Sequence, residues 1–250
     1  MFNLENEIAV ISGASRGIGA GIAGKLAQHG CKVIVNYCQS REKAEALVAE
    51  IQKSGGEAIP VKADVTQREQ VDRMIEIAVK EFGPPTILIN NASSPMIHKK
   101  IAKTEWAEFL ACFETAVKST HNCCNAVAPL MRKARRGKIV NIVTQYAQGV
   151  PPLAMAAYVT AKYALVGFSK SLAVEMAPFG IQVNMVSPGL TDTDLVSGLP
   201  DSFKQAIAQQ TPLKRITECD DISNAVTFLV SDLADYITGV NLPVCGGNIM

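Results

Sequence analysis

The chain carries almost no net charge: Lys and Arg number 24 against 23 Asp and Glu in 250 residues. So even a balance leaves no global field to attract nucleic acid or an anionic membrane, and DNA binding is not expected. Long apolar runs are missing as well. No uncharged stretch approaches the ~18 residues of a spanning helix, and Glu5 and Glu7 interrupt the first residues, which read as carrying no secretory signal. Histidine is scarce, and His29, His98 and His121 stand at no ligand spacing with one another or with a cysteine. The seven cysteines (31, 38, 112, 123, 124, 219, 245) are odd in number and contain no C-x-x-C. Adjacent Cys123 and Cys124 would point about 100° apart on a helix, a poor geometry for sharing a metal. No metal site is expected; the thiols read as reduced and partly buried in a cytoplasmic protein.

What is present is an alternation. Apolar residues make up 48% of the chain and charged residues 19%, which suits an ordered α/β protein. Short β-branched runs near 7–12, 32–37, 57–62, 86–90, 138–144, 181–187 and 239–244 read as strands. Helix-period segments fall near 17–29, 40–54, 67–82, 103–135, 156–178, 201–210 and 219–232. Runs that are continuous rather than alternating, such as Ile139-Val140-Asn141-Ile142-Val143, suit a parallel sheet covered on both faces. The pattern predicts one doubly wound α/β domain over 1–250, of about seven strands with helices on both sides. Ligands of such sheets bind beyond the carboxyl ends of the strands. The candidate segments are therefore 12–19, 36–41, 63–66, 90–96, 144–155 and 187–195.

The first of these is Ser12-Gly13-Ala14-Ser15-Arg16-Gly17-Ile18-Gly19. Its glycines permit a tight turn and let backbone N–H groups approach a phosphate at a helix N-terminus. The G-x-x-x-G-x-G spacing differs from the generic dinucleotide fingerprint. An NAD site normally has an acid about 20 residues on, yet the second strand ends Val35-Asn36-Tyr37-Cys38. A carboxylate there would repel a 2′-phosphate and Asn36 does not, while Arg16 and Arg41 supply positive charge or are plain surface cations. NADPH is expected over NADH.

Tyr158 and Lys162 stand four residues apart in a helical segment, so they share a face. A phenol near pKa 10 is a poor acid-base group at neutral pH, and an ammonium beside it is expected to lower that value. Coupled to the glycine turn, the pair resembles the short-chain dehydrogenase/reductase family. The resemblance extends over the chain: Asp64-Val65, Asn90-Asn91-Ala92, Ile139-Val140-Asn141-Ile142, Asn184-x-x-Ser187-Pro188-Gly189 and Tyr236-Ile237-Thr238-Gly239 with Gly246-Gly247 all fit. It is strongest toward 3-oxoacyl-[acyl-carrier-protein] reductase-like members.

The resemblance implies roles. Tyr158 gives a proton to a carbonyl, and Lys162 tunes it and binds the nicotinamide ribose. Asp64 and Val65 contact adenine, Asn91 and Ala92 support the middle of the cofactor, and Pro188, Gly189 and Thr191 border the nicotinamide. A hydroxyl that polarises the substrate falls at Thr144 when counted from the fifth strand, and at Gln145 when counted back from Tyr158; Thr144 is the assignment, with Gln145 beside the substrate. An asparagine common in the family is absent: the aligned position is Ala116, or Phe113 if the register is anchored on Trp106.

A lid is expected at 190–211, with Leu195, Leu199 and Phe203, together with Met96, Leu153 and Met155, forming an apolar pocket for a ketone. The basic run Met131-Arg132-Lys133-Ala134-Arg135-Arg136-Gly137-Lys138 either docks an acyl carrier protein or is a solvated helix end. The resemblance further suggests a homotetramer or homodimer. Three functions stay open: NADPH-dependent carbonyl reduction, NAD(P)-dependent oxidation of a secondary alcohol, and a cofactor-binding partner subunit with impaired catalysis.

Overall fold

The computed structural model describes residues 2–93, 96–193 and 198–249. Its strands are β1 (Ile8–Ile11), β2 (Lys32–Tyr37), β3 (Ala58–Lys62), β4 (Ile87–Asn90), β5 (Gly137–Ile142), β6 (Ile181–Pro188) and β7 (Asn241–Val244). They form one parallel sheet in the order β3-β2-β1-β4-β5-β6-β7. In the centre Val10 lies opposite Ile34 on β2 and Leu88 on β4, so three branched aliphatic side chains meet in one row. All four residues of β1 and of β4 are buried, as strands covered on both faces must be.

The helices are α1 (Gly17–Gln28), α2 (Arg41–Lys53), α3 (Arg68–Glu81), α4 (Trp106–Phe113), α5 (Ser119–Ala134), α6 (Ala156–Met176), α7 (Asp201–Gln210) and α8 (Cys219–Val230). Helices α1, α2 and α8 cover one face through Ile22, Leu26, Val48, Ile222 and Val226. Helices α3, α5 and α6 cover the other through Val71, Met74, Cys123, Val127, Leu172 and Met176. The doubly wound sheet expected from the sequence is present. The chain reverses direction between β1 and β4, which opens a crevice at their carboxyl ends.

One expected element is divided. The helix expected over 103–135 is a short 3₁₀ turn at Ile101–Lys103, then α4, then a π-helical segment Glu114–Lys118, then α5. Glu105 and Glu108 form a capping box that starts α4 at Trp106. Three hydroxyls bond back one turn at the π segment: Thr115 to the Ala111 carbonyl at 2.9 Å, Ser119 to Thr115, and Thr120 to Ala116 at 2.8 Å. Such back-bonding competes with the helical ladder and loosens it.

The basic run ends α5 and opens β5, at the amino-terminal edge of the sheet. Arg132 lies over the Phe179 ring, Arg135 donates to the Pro178 carbonyl, Arg136 pairs with Glu7, and Lys138 pairs with Asp235. Most of its charge is therefore engaged within the chain, on the opposite edge from the crevice.

Candidate active site

The glycine turn is clamped from two sides. Gly13, at φ +61°, donates its N–H to Asn36 Oδ1 at 3.1 Å, and its carbonyl accepts from Asn91 Nδ2 at 3.0 Å. Ser12 Oγ accepts the N–H groups of both Asn91 and Ala92 at 3.0 Å. Gly19 admits no side chain: a Cβ there would lie 2.5 Å from Asn91 Nδ2 and 2.6 Å from the Gly13 carbonyl. Gly17 begins α1 at φ +56°. Arg16, its exposed N-cap, supplies no side-chain cap, and Ser15 and Ile18 are half-buried beside it. The first-turn N–H groups of α1 are thus available to an anion.

Asn36, expected beside the cofactor, is also tied into the sheet. It is buried, and its Nδ2 donates to the Ala63 and Val61 carbonyls at 3.0 and 3.3 Å. Its carboxamide laces β1, β2 and β3 together, a use invisible from its place at the end of a strand. Asp64 and Val65 follow β3. Asp64 Oδ1 accepts from the backbone and hydroxyl of Thr66, and the Val65 carbonyl accepts from Asn122 Nδ2 at 3.1 Å. Across the crevice, Pro188 ends β6, and the Gly189 N–H donates to the Val244 carbonyl at 3.0 Å. Thr191 Oγ1 bonds the Gly189 carbonyl at 3.0 Å.

Beyond β5 the structure brings Thr144, Tyr158 and Lys162 together. All three are buried. Lys162 Nζ donates to the Ile142 carbonyl at 2.8 Å and lies 5.9 Å from the centre of the Tyr158 ring. The Thr144 hydroxyl lies near enough to the Tyr158 phenol to favour its ionised form. Its neighbour Gln145 is buried, with Oε1 unpartnered among the described residues.

The acidity of the phenol departs from expectation. Burial pushes Tyr158 up to about 12, and the Thr144 hydroxyl offsets only part of that rise. Lys162 does not lower it, because burial disfavours the ammonium itself and brings Lys162 down to about 8. Desolvation, which i,i+4 spacing cannot report, is the largest cause of both shifts.

The remaining expected residues divide. Met155 is buried in the cluster that holds Tyr158, Ala116 and Cys112, with Met96, Ile97 and Tyr146 packed against it. Leu153 is 93% exposed. Phe203 is also exposed, and Leu195 lies outside the described residues. Ala116 sits in the π segment with its carbonyl taken by Thr120. A pair missed from the sequence is Asn141 and Ser169: Asn141 Nδ2 donates to Ser169 Oγ at 2.8 Å, binding α6 to β5. Its signal was available, since Ser169 stands seven residues, two helical turns, after Lys162.

A family profile described as enoyl-(acyl carrier protein) reductase matches residues 13–248. The chain belongs to the short-chain dehydrogenase/reductase family. It is 40% identical over 248 residues to a 3-oxoacyl-[acyl-carrier-protein] reductase of Staphylococcus epidermidis, covering 98% of this chain and 100% of that one. A 3-oxoacyl-[acyl-carrier-protein] reductase of Synechocystis is 37% identical over 251 residues, covering 100% of each. Among solved structures, a 7α-hydroxysteroid dehydrogenase complexed with NADH and 7-oxo glycochenodeoxycholic acid superposes with a TM-score of 0.94. It is 31% identical and covers 99% of this chain and 96% of its own. As a member of the short-chain dehydrogenase/reductase family, the chain is an oxidoreductase of carbonyl and hydroxyl groups.

Proposed function

We propose that this protein reduces the keto group of a 3-oxoacyl thioester with NADPH, Tyr158 delivering the proton. The observation that carries the reading is the buried Thr144–Tyr158–Lys162 cluster, set at the strand ends beside a turn in which Gly19 tolerates no Cβ. The residues fit a dinucleotide: a glycine cradle, uncapped first-turn N–H groups of α1, and no acid at the end of β2.

The cradle formed by Gly13, Ser15, Gly17, Ile18 and Gly19 holds the pyrophosphate, and Arg16 meets the 2′-phosphate. Asp64 and Val65 flank the adenine, Asn91 and Ala92 the middle of the cofactor, and Pro188, Gly189 and Thr191 the nicotinamide. When bound, the nicotinamide supplies hydride. Thr144 then donates to the substrate oxygen and holds it beside Tyr158. The Tyr158 phenol transfers its proton to the developing alkoxide, and Lys162 holds the ribose hydroxyls.

A phenol at about 12 suits this direction. It stays protonated at neutral pH, yet it remains a stronger acid than the alcohol being formed, whose acidity is near that of water at ~15.7. The reverse reaction needs the phenolate, so alcohol oxidation rises with pH while reduction does not.

A second reading, oxidation of a secondary alcohol with NAD(P)+, is favoured by the NADH-bound hydroxysteroid dehydrogenase neighbour. Consumption of NADPH and NADH is to be compared on a 3-oxoacyl N-acetylcysteamine thioester and on a panel of cyclic ketones. The reductase reading expects NADPH and the thioester to give the highest kcat/KM, and Tyr158→Phe to lose on the order of 10²–10⁴ in kcat. Preference for NADH and a cyclic ketone would instead support the dehydrogenase. Cofactor binding with no turnover on any ketone, and no effect of Tyr158→Phe, would identify a partner subunit with impaired catalysis. Exposed Trp106, Leu110 and Phe113 on α4 and Tyr163 on α6 support assembly as a homotetramer or homodimer through those helices.

A further inference from the structure

The turn that follows Thr144 carries a second phenol. Gln145–Ala147 form one 3₁₀ turn whose N-cap is Thr144. The backbone fixes its shape: the Ala147 N–H donates to the Thr144 carbonyl at 3.0 Å, and the N–H groups of Gln148 and Gly149 converge on the Gln145 carbonyl at 3.0 and 3.1 Å. At the middle of the turn the Tyr146 N–H donates to Thr144 Oγ1 at 3.4 Å. That bond occupies one lone pair of the Thr144 oxygen and leaves its proton for another acceptor. One short segment thus sets both the polarity of Thr144 and the place of Tyr146.

The Tyr146 side chain packs against the buried cluster that holds Tyr158, Met155, Ala116 and Cys112, with Met96 arriving from the segment after β4. Tyr158 is buried, whereas Tyr146 is half-buried. A charge on Tyr146 would push Tyr158 further up, so the two phenols lie within electrostatic reach of each other. Thr144 and Tyr158 are both assigned to the one keto oxygen that is reduced. Tyr146 adds a third hydroxyl in the same apolar surroundings, and the proton transfer has no use for it.

A 3-oxoacyl thioester presents two carbonyl oxygens, on C3 and C1, with one methylene between those carbons. An apolar pocket senses shape and separates such a substrate poorly from an isolated ketone of the same shape; strong discrimination needs a group that hydrogen-bonds the extra polar atom. We propose that Tyr146 is the specificity-determining residue of this site, its hydroxyl donating to the C1 thioester carbonyl while Thr144 and Tyr158 hold the C3 oxygen. The substrate class it selects is a 1,3-dicarbonyl. The proposal rests on the 3-oxoacyl thioester reading above and names the group that recognises the second carbonyl.

The test compares the 3-oxoacyl N-acetylcysteamine thioester with its thioether analogue, a ketone in which a methylene replaces the C1 carbonyl. Wild type and Tyr146→Phe are measured on both with NADPH, and the ratio of the two kcat/KM values is the readout. Where the thioether binds without turning over, its inhibition constant against the thioester replaces its kcat/KM. The C1 carbonyl also makes the C3 ketone more electrophilic, but that contribution is common to both proteins and cancels from the change in ratio. The expected result is a thioester preference about tenfold lower in Tyr146→Phe, the size of one lost neutral hydrogen bond, carried mainly by a higher KM for the thioester. Phenylalanine keeps the ring in the cluster, so Tm is expected to hold. An equal fall on both substrates, or no fall on either, overturns the proposal and leaves the reductase reading standing. Failure of wild type to reduce the thioester overturns both.

Discussion

Lys162 donates to the Ile142 carbonyl at 2.8 Å, so the ammonium that serves the site also fastens α6 to the end of β5. It does so from a buried position with no carboxylate partner among the described residues. A cation so placed stores a cost in the fold, and that cost is measurable.

Burial lowers Lys162 from 10.5 to about 8. Between those values the unfolded chain binds the extra proton, so stability rises with pH through that window and carries the full penalty below it. The size of the shift corresponds to about 3 kcal/mol. Lys162→Met is therefore expected to be inactive yet more stable than wild type at pH 7, with the gap closing between pH 8 and 10.5. Urea denaturation across that range measures it; a gap independent of pH would refute the argument.

Thr144 and Gln145 are adjacent and predict opposite outcomes. Thr144→Ala removes the hydroxyl near Tyr158 and should cost on the order of 10²–10³ in kcat, with Thr144→Ser restoring most of it. Gln145→Met removes a buried oxygen that has no donor among the described residues, and should raise stability by about 1 kcal/mol. Thermal denaturation beside steady-state kinetics on the three variants decides; a Gln145→Met protein less stable than wild type would mean that the oxygen has a partner after all.

Gly19→Ala should abolish cofactor binding before it abolishes folding. Its Cβ would strike both Asn91 Nδ2 and the Gly13 carbonyl, the two groups that close the turn. Dinucleotide titration by tryptophan or nucleotide fluorescence is expected to show no saturable binding, with circular dichroism retained. Normal affinity in this variant would show that the cradle is looser than the contacts imply.

Ala116→Asn tests the residue where the family commonly carries asparagine. Ala116 is buried in the cluster that holds Tyr158 and Cys112, so the larger carboxamide overpacks it by about 1–3 kcal/mol. A lowered Tm without a gain in kcat is expected. A gain in kcat would mean that the missing carboxamide limits the natural chain.

The sheet was legible because continuous β-branched runs such as Ile8-Ala9-Val10-Ile11 have only one comfortable environment, a strand covered on both faces. The glycine turn and the Tyr158–Lys162 pair were legible because short spacings convert directly into geometry. Less was legible where distant segments share a group. The carboxamide of Asn36 belongs to the turn at Gly13 and to β3, 25 and 27 residues on at Val61 and Ala63, and nothing local announces that.

What the amino-acid order determined by itself was therefore the periodic part: strands, helices, and the residue types gathered at the strand ends. Tertiary structure alone decided the environment-dependent part. It set the Thr144 hydroxyl near the phenol and buried Gln145 beside it. It raised Tyr158 and lowered Lys162 because solvent exclusion depends on everything packed around a group, whereas sequence spacing reports only the neighbours on its own helix.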